Sequence, residues 1–348
     1  ARALGMDVGD IRVFAAEIGG GFGGKTVIYL EPLAVRLSQK AGRPVKLVMS
    51  RDEVFRASGP TSGSRMRMKV GATNEGKITA AQLWQAFEAG AYAGSPVGAG
   101  SMCALAPYVL ENFQIEGFDV VCNKPRVAAY RAPGAPISSF AVESVLDEVA
   151  RAIGIDPIDF RMANAVEEGS QATYGPKFPV IGFKETLQAI KDHHNYQEPL
   201  GPNQGRGVAA GFWFNAGMNS SATVHINDDG TATVVTGSPD IGGSRASMAL
   251  MAAEELGIDM AQIQPVVADT EQVGFNDVTG GSRVTLATGA AVVNACRDVK
   301  DQLRARAAKQ WDVDVEQVEW VDGQAQICLL YTSPSPRDHL SYRVCRLL

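Results

Sequence analysis

Paired cysteines are missing from this sequence. Its five cysteines, Cys103, Cys122, Cys296, Cys328 and Cys345, are scattered singly. That odd, unspaced set offers no disulfide framework and no zinc or iron–sulfur ligand pattern, so a reducing compartment is expected. No run of about 18 apolar residues is present, which excludes an ordinary membrane-spanning helix. Basic excess is absent too: 32 Lys plus Arg stand against 38 Asp plus Glu, a net charge of −6. A nucleic-acid-binding domain is therefore not expected, because its electrostatic footprint is basic. Histidine is rare, with four residues. The adjacent His193 and His194 would point about 100° apart on a helix and make poor joint ligands, so they read as surface residues.

What is present is a globular composition with one excess. Hydrophobic residues make up 45% and charged residues 20%, enough for real cores and against wholesale disorder. The length of 348 residues predicts two domains at roughly 150 residues each. Glycine is the unusual number, 37 residues, well above the usual ~7%. The glycines gather in four loops, at 19–25, 131–136, 237–244 and 279–283.

Periodicity predicts an α+β chain of mixed sheets and helices. Strands are expected over 10–18 and 44–50, then a hairpin over 65–90 turning at Asn74-Glu75-Gly76-Lys77, then a strand over 112–125. Helices are expected over 26–42 with Gly42 as C-cap, over 140–154, and over 155–166 behind Asp156 and Pro157. In the second half, 207–214, 220–227 and 231–238 read as a sheet, followed by a helix over 245–257, a strand over 263–268 and a long helix over 284–308. The segment 318–327 reads as a hairpin turning at Asp322-Gly323. The polar stretch 194–207 is the best boundary, giving a first domain 1–193, a linker, and a second domain 208–327. The chain lacks an initiator Met and reads as cut at both ends. Residues 328–348 have neither period and read as a non-native tail.

A glycine-rich turn opening a helix offers unblocked N–H groups and the positive end of the helix dipole, a cradle for an anion. Four such loops are placed to converge on one large anionic ligand between two domains. Gly19 to Thr26 reads GGGFGGKT, which also satisfies the P-loop pattern. A P-loop enzyme needs an acidic residue closing a later strand to hold Mg²⁺, whereas Asp52 lies beyond Ser50 and Arg51. That reading also leaves three loops unemployed. A cofactor cradle, a P-loop NTPase and a non-catalytic interaction module all remain open on the residues alone.

The ordered set GGGFGGK (19–25), AYRAPGAP (129–136), the helix FAVESVLDEVA behind it, SPDIGGSR (238–245) and TGGSRVT (279–285) resembles the molybdenum-binding large subunit of the xanthine dehydrogenase and aldehyde oxidase family. The likeness is to its bacterial, multi-subunit branch and spans about residues 1–327. It implies two cofactor-binding domains with a molybdenum–molybdopterin cofactor between them, in the plain or cytosine dinucleotide form. Iron–sulfur and FAD groups would sit on partner subunits, in a homodimer of heterotrimers in the cytoplasm, with the periplasm still open. By resemblance, the cofactor-binding residues are Gly20, Gly21, Phe22, Gly23, Gly24, Arg131, Ala132, Gly242, Gly243, Ser244, Gly280, Gly281 and Ser282. Phe22 and Arg131 would lie near the metal, which no protein side chain ligates directly.

The implied reaction is hydroxylation of an aldehyde or N-heterocycle with oxygen from water, electrons leaving through iron–sulfur centres. The family's base is a glutamate in a Gly-Glu motif, and no Gly-Glu dipeptide occurs in the chain. No catalytic residue is therefore assigned, and the chain is expected to be inactive alone. Thr26 stands where purine-oxidising relatives tend to carry glutamate, which disfavours xanthine. Gly243 stands where many relatives carry glutamine. Ala132-Pro133-Gly134 offers no thiolate for copper, which disfavours CO oxidation.

Overall fold

The structure, a computed structural model, describes residues 1–267, 269–328 and 342–345. The helices are α1 (Glu31–Ala41), α2 (Arg51–Ala57), α3 (Val97–Ala104), α4 (Ala135–Ile153), α5 (Pro157–Asn164), α6 (Phe183–Asp192), α7 (His194–Gln197), α8 (Ser244–Leu256) and α9 (Gly289–Trp311). The strands are β1 (Ser64–Ala72), β2 (Ile78–Gly90), β3 (Phe113–Val121), β4 (Ala222–Ile226), β5 (Ala232–Thr236), β6 (Ile263–Val267), β7 (Val318–Val321), β8 (Gln324–Cys328) and β9 (Tyr342–Cys345). Two compact units result: a first of residues 22–34 and 44–214, and a second of residues 1–21, 35–43 and 215 onward.

In the first unit, β1 and β2 pair antiparallel and β3 adds parallel to β2. Alternation along β2 sends Ala81, Leu83, Gln85, Phe87 and Ala89 inward, as a period of two requires. They meet the apolar face of α4, where Val142 and Leu146 are buried with Tyr108 and Phe160. Gly154, at φ +73°, ends α4, and the Asp156 carboxylate accepts the first amides of α5. A buried ion cluster ties these helices together. Arg161 Nε donates to Glu143 Oε2 at 2.8 Å, and the Tyr108 hydroxyl donates to Glu143 Oε1 at 2.7 Å.

The second unit repeats the plan: β4 and β5 antiparallel, β6 parallel to β5. Val234, Met248, Ala252, Leu256, Val292 and Cys296 form the core under α8 and α9. The β7–β8 hairpin turns at Asp322 and Gly323, both left-handed at φ +48° and +74°, which is the turn that Asp-Gly favours.

Several expectations are corrected. Residues 10–18 form no strand: a short 3₁₀ turn (Val8–Asp10) leads to one isolated bridge between Phe14 and Asp269. Residues 44–50 and 207–214 form no regular element and pair with no strand. The helix expected from 26 begins at Glu31. Packing divides the chain at 214/215 and places residues 1–21 and 35–43 with the second unit; a packing unit need not coincide with a domain, and the domains 1–193 and 208–327 stay an expectation. Helices α2, α3 and α6 were not foreseen. His193 and His194 are exposed, their rings 4.3 Å apart. Apart from Cys328 and β9, the segment 328–348 lies outside the described residues.

Candidate functional site

The first glycine loop is built around a residue that does not belong in its conformation. Phe22 has φ +50°, and a left-handed non-glycine residue costs roughly 1–2 kcal/mol. Its carbonyl accepts the Arg131 N–H at 2.6 Å, which clamps the 19–25 loop to the 129–134 loop. Gly23 makes the approach possible. At φ +92°, an added Cβ would lie 2.9 Å from the Ala129 Cβ. The Phe22 ring stays 58% exposed, tilted against Tyr130 at 6.5 Å. The N–H groups of Phe22, Gly23, Gly24 and Lys25 have no hydrogen-bond acceptor among the described residues.

The loop does not open a helix. Both the N–H and the hydroxyl of Thr26 turn back to the Gly23 carbonyl, at 3.2 and 2.7 Å. A P-loop needs that hydroxyl for Mg²⁺ and the helix at once, so the NTPase reading is overturned.

Ala132, at φ +53°, continues the second loop. Gly134, at φ +85°, caps α4, and a Cβ there would meet the Pro96 carbonyl at 2.4 Å. The Arg131 side chain is exposed and has no partner among the described residues. The structure thus brings Phe22, Gly23, Gly24, Arg131 and Ala132 together in the first unit.

The second unit gathers the rest. Gly20 donates to the Ile241 carbonyl at 3.1 Å, which joins the Gly20–Gly21 turn to the third loop. There, at the head of α8, Gly242 and Gly243 adopt φ +123° and +99°. Their amides and that of Ser244 converge within 2.8 to 3.1 Å on Asp240 Oδ1. Burial raises the Asp240 carboxyl, but these amides and Arg245 outweigh it and hold the group well below the usual carboxylate range. This cradle is therefore filled by the chain's own carboxylate, against the expectation of open amides at this loop. The pattern carries a signal: an aspartate just upstream of a Gly-Gly-Ser helix start is placed to accept the helix's first free amides.

The fourth loop carries Gly280, Gly281 at φ +73° and Ser282 at φ +57°. It is zipped to the segment 215–220. Ala216 N–H donates to the Gly281 carbonyl at 2.9 Å, and Asn215 Nδ2 to the Ser282 carbonyl at 2.5 Å. Arg283, 1% exposed, donates to the carbonyls of Gly217, Asn219 and Asp277 at 3.0, 2.5 and 2.9 Å. Sequence reading had no means of singling out Arg283, a lone arginine after a glycine run.

Taken unit by unit, these loops have three features that suit the implied pterin-bound metal. Phe22, Ala132 and Ser282 are three strained non-glycine residues in three different glycine loops, and such strain concentrates at ligand sites. The Thr279 hydroxyl is buried without a partner. The 22–25 amides and the Arg131 guanidinium remain unspent. No group of three His, Cys, Asp or Glu able to hold a metal ion occurs among the described residues, and none of them forms a helix long and apolar enough to cross a membrane.

Family models described as molybdopterin cofactor-binding domains match residues 1–165 and 182–338. The aldehyde oxidoreductase molybdenum-binding subunit PaoC of Escherichia coli is 31% identical over 93% of this chain and 45% of its own length. The putative xanthine dehydrogenase molybdenum-binding subunit XdhA of Escherichia coli is 29% identical over 88% of the chain and 44% of its length. The solved quinoline 2-oxidoreductase of Pseudomonas putida 86 superimposes with a TM-score of 0.80 at 23% identity, over 91% of this chain and 44% of that one. The chain spans a little under half the length of these relatives. On its two cofactor-binding domains, the chain belongs to the molybdenum-binding subunit family of the xanthine dehydrogenases and aldehyde oxidoreductases.

Proposed function

We propose that this chain is the cofactor-holding part of the catalytic subunit of an oxidoreductase that hydroxylates an aldehyde or an N-heterocycle with oxygen from water. The observation that carries the reading is the Phe22–Arg131 backbone clamp, which joins a loop with an exposed ring and four unspent amides to a loop that carries an exposed arginine. When bound, the molybdenum–molybdopterin cofactor, in the plain or the cytosine dinucleotide form, supplies two-electron redox chemistry at a metal centre.

The chain's own residues bind and orient. Gly20, Gly21, Gly23 and Gly24 offer backbone without side-chain obstruction, and Phe22 would lie against the bound cofactor and keep water from it. The Arg131 fork suits an oxyanion of cofactor or substrate. Gly242 and Gly243 approach the cofactor with their open Cα faces, and Ser244 supports the turn, since the three amides and the Ser244 hydroxyl are spent on Asp240. Gly280, Gly281 and Ser282 border it from the fourth loop. Iron–sulfur and FAD groups would sit on partner subunits, in a homodimer of heterotrimers, and would supply the electron acceptors. The cytoplasm suits the free thiols of Cys103, Cys122 and Cys296.

Purified protein, denatured and analysed by mass spectrometry with metal analysis, is expected to release a pterin and molybdenum in equal amounts. Release of an adenine nucleotide with Mg²⁺ and no pterin would sink the reading.

A further inference from the structure

A buried chain of hydroxyls links the loops of the second unit, and the reaction chemistry does not use it. It starts at the Arg283 guanidinium, whose acceptors are neutral oxygens: three carbonyls and the Ser220 hydroxyl. Ser220 Oγ lies 3.0 Å from Thr288 Oγ1, and Thr288 Oγ1 lies 2.9 Å from Ser238 Oγ. Thr288 is fully buried and Ser238 nearly so.

A guanidinium only donates, so the Ser220 oxygen accepts from Arg283 and its proton is available to Thr288. In the run that follows from this, Ser220 donates to Thr288 and Thr288 to Ser238, each hydroxyl pair being able to orient either way. A charge at one end polarises such a row and strengthens each member. Each link belongs to a different segment: Arg283 to the fourth glycine loop, Ser220 to the strand entry behind 215–219, Thr288 to the π-turn Val284–Thr288, and Ser238 to the third loop, two residues before Asp240.

We propose that Thr288 is a positioning residue, the hub through which the charge on Arg283 fixes the third and fourth glycine loops in one preformed arrangement. The consequence for cofactor retention rests on the proposed function; the hydroxyl relay itself does not. A hub of this kind must use the oxygen and not the methyl group. Thr288→Val keeps the shape and removes the oxygen, whereas Thr288→Ser keeps the oxygen and removes the methyl.

Amide hydrogen exchange on the purified protein, followed by mass spectrometry, reads the loops directly, with the β5 peptide as internal reference. In Thr288→Val, peptides covering 215–220 and 237–245 are expected to exchange at least tenfold faster than wild type while β5 is unchanged. Pterin released per chain is expected to fall at least threefold. Thr288→Ser is expected to restore both. Wild-type exchange in the valine variant, or equal loosening in both variants, would overturn the relay. Should the valine variant fail to fold, Ser238→Ala cuts only the last link: faster exchange confined to 237–245 supports the relay, and unchanged exchange refutes it. A wild-type protein without pterin would instead count against the proposed function and leave the exchange test intact.

Discussion

The Arg131 backbone N–H donates to the carbonyl of Phe22 at 2.6 Å, across 109 residues of sequence. That bond holds a left-handed phenylalanine in place, and its ring gains little burial in return, being 58% exposed. The strain is thus supported by the surrounding loops and serves no packing purpose in this chain.

Phe22→Gly relieves the strain and sacrifices little buried surface. Stability is expected to hold or rise by up to ~1 kcal/mol in urea unfolding, while pterin retained after purification falls several-fold. A stability loss above ~2 kcal/mol would mean that the ring packs as a core residue.

The glycine motifs were legible because each marks a local backbone demand. Gly23 and Gly134 stand where a Cβ would strike Ala129 or Pro96, and Gly154 ends its helix in the left-handed region. The 65–90 hairpin and α4 were legible from periodicity alone. The failures have physical causes. Residues 10–18 and 44–50 have strand composition, but the first pairs at a single bridge, Phe14 with Asp269, and the second at none, so pattern without a paired ladder misled. Helix α2 carried a capping box, Ser50 with Glu53, that the apolar run before it masked. Helix α3, VGAGSMCA, has weak helical propensity; its Gly100 sits against Ser138 and Phe87, a tertiary reason invisible in sequence. Arg283, Thr288 and Ser238 became meaningful only once three distant segments met.

Lys25 tests the discarded nucleotide reading. Its loop opens no helix and Thr26 is turned back on Gly23, so neither the wild type nor Lys25→Ala is expected to bind Mg-ATP saturably in calorimetry. Micromolar binding lost in the variant would restore the P-loop.

The buried ion cluster of the first unit is a stability determinant. Arg161 is fully buried; it donates to Glu143, to the Glu143 and Val208 carbonyls, and to the Pro157 carbonyl. Arg161→Met would strand the Glu143 carboxylate, with Tyr108 and the Ala210 N–H as its remaining donors. Denaturant unfolding is expected to register a loss of about 3–5 kcal/mol. A loss under ~1 kcal/mol would mean that the cluster relaxes to solvent.

Asp240 predicts how stability depends on pH. Its folded-state carboxyl lies well below the ordinary value near 4, because three glycine-loop and serine amides and Arg245 stabilise the anion more than burial opposes it. A group depressed on folding contributes stability above its unfolded pKa and loses it as pH falls through the ordinary carboxylate range and below. Asp240→Asn keeps one acceptor oxygen but not the charge, and at pH 7 it is expected to cost about 1.5–3 kcal/mol. Urea unfolding between pH 7 and pH 3 should show the wild type losing part of this advantage as the solution acidifies below about pH 5, with the gap to the variant narrowing toward the acid end. A variant that stays equally far below wild type at every pH would mean that the carboxylate acts by shape alone. The third loop would then owe its form to its glycines and not to the charge they enclose.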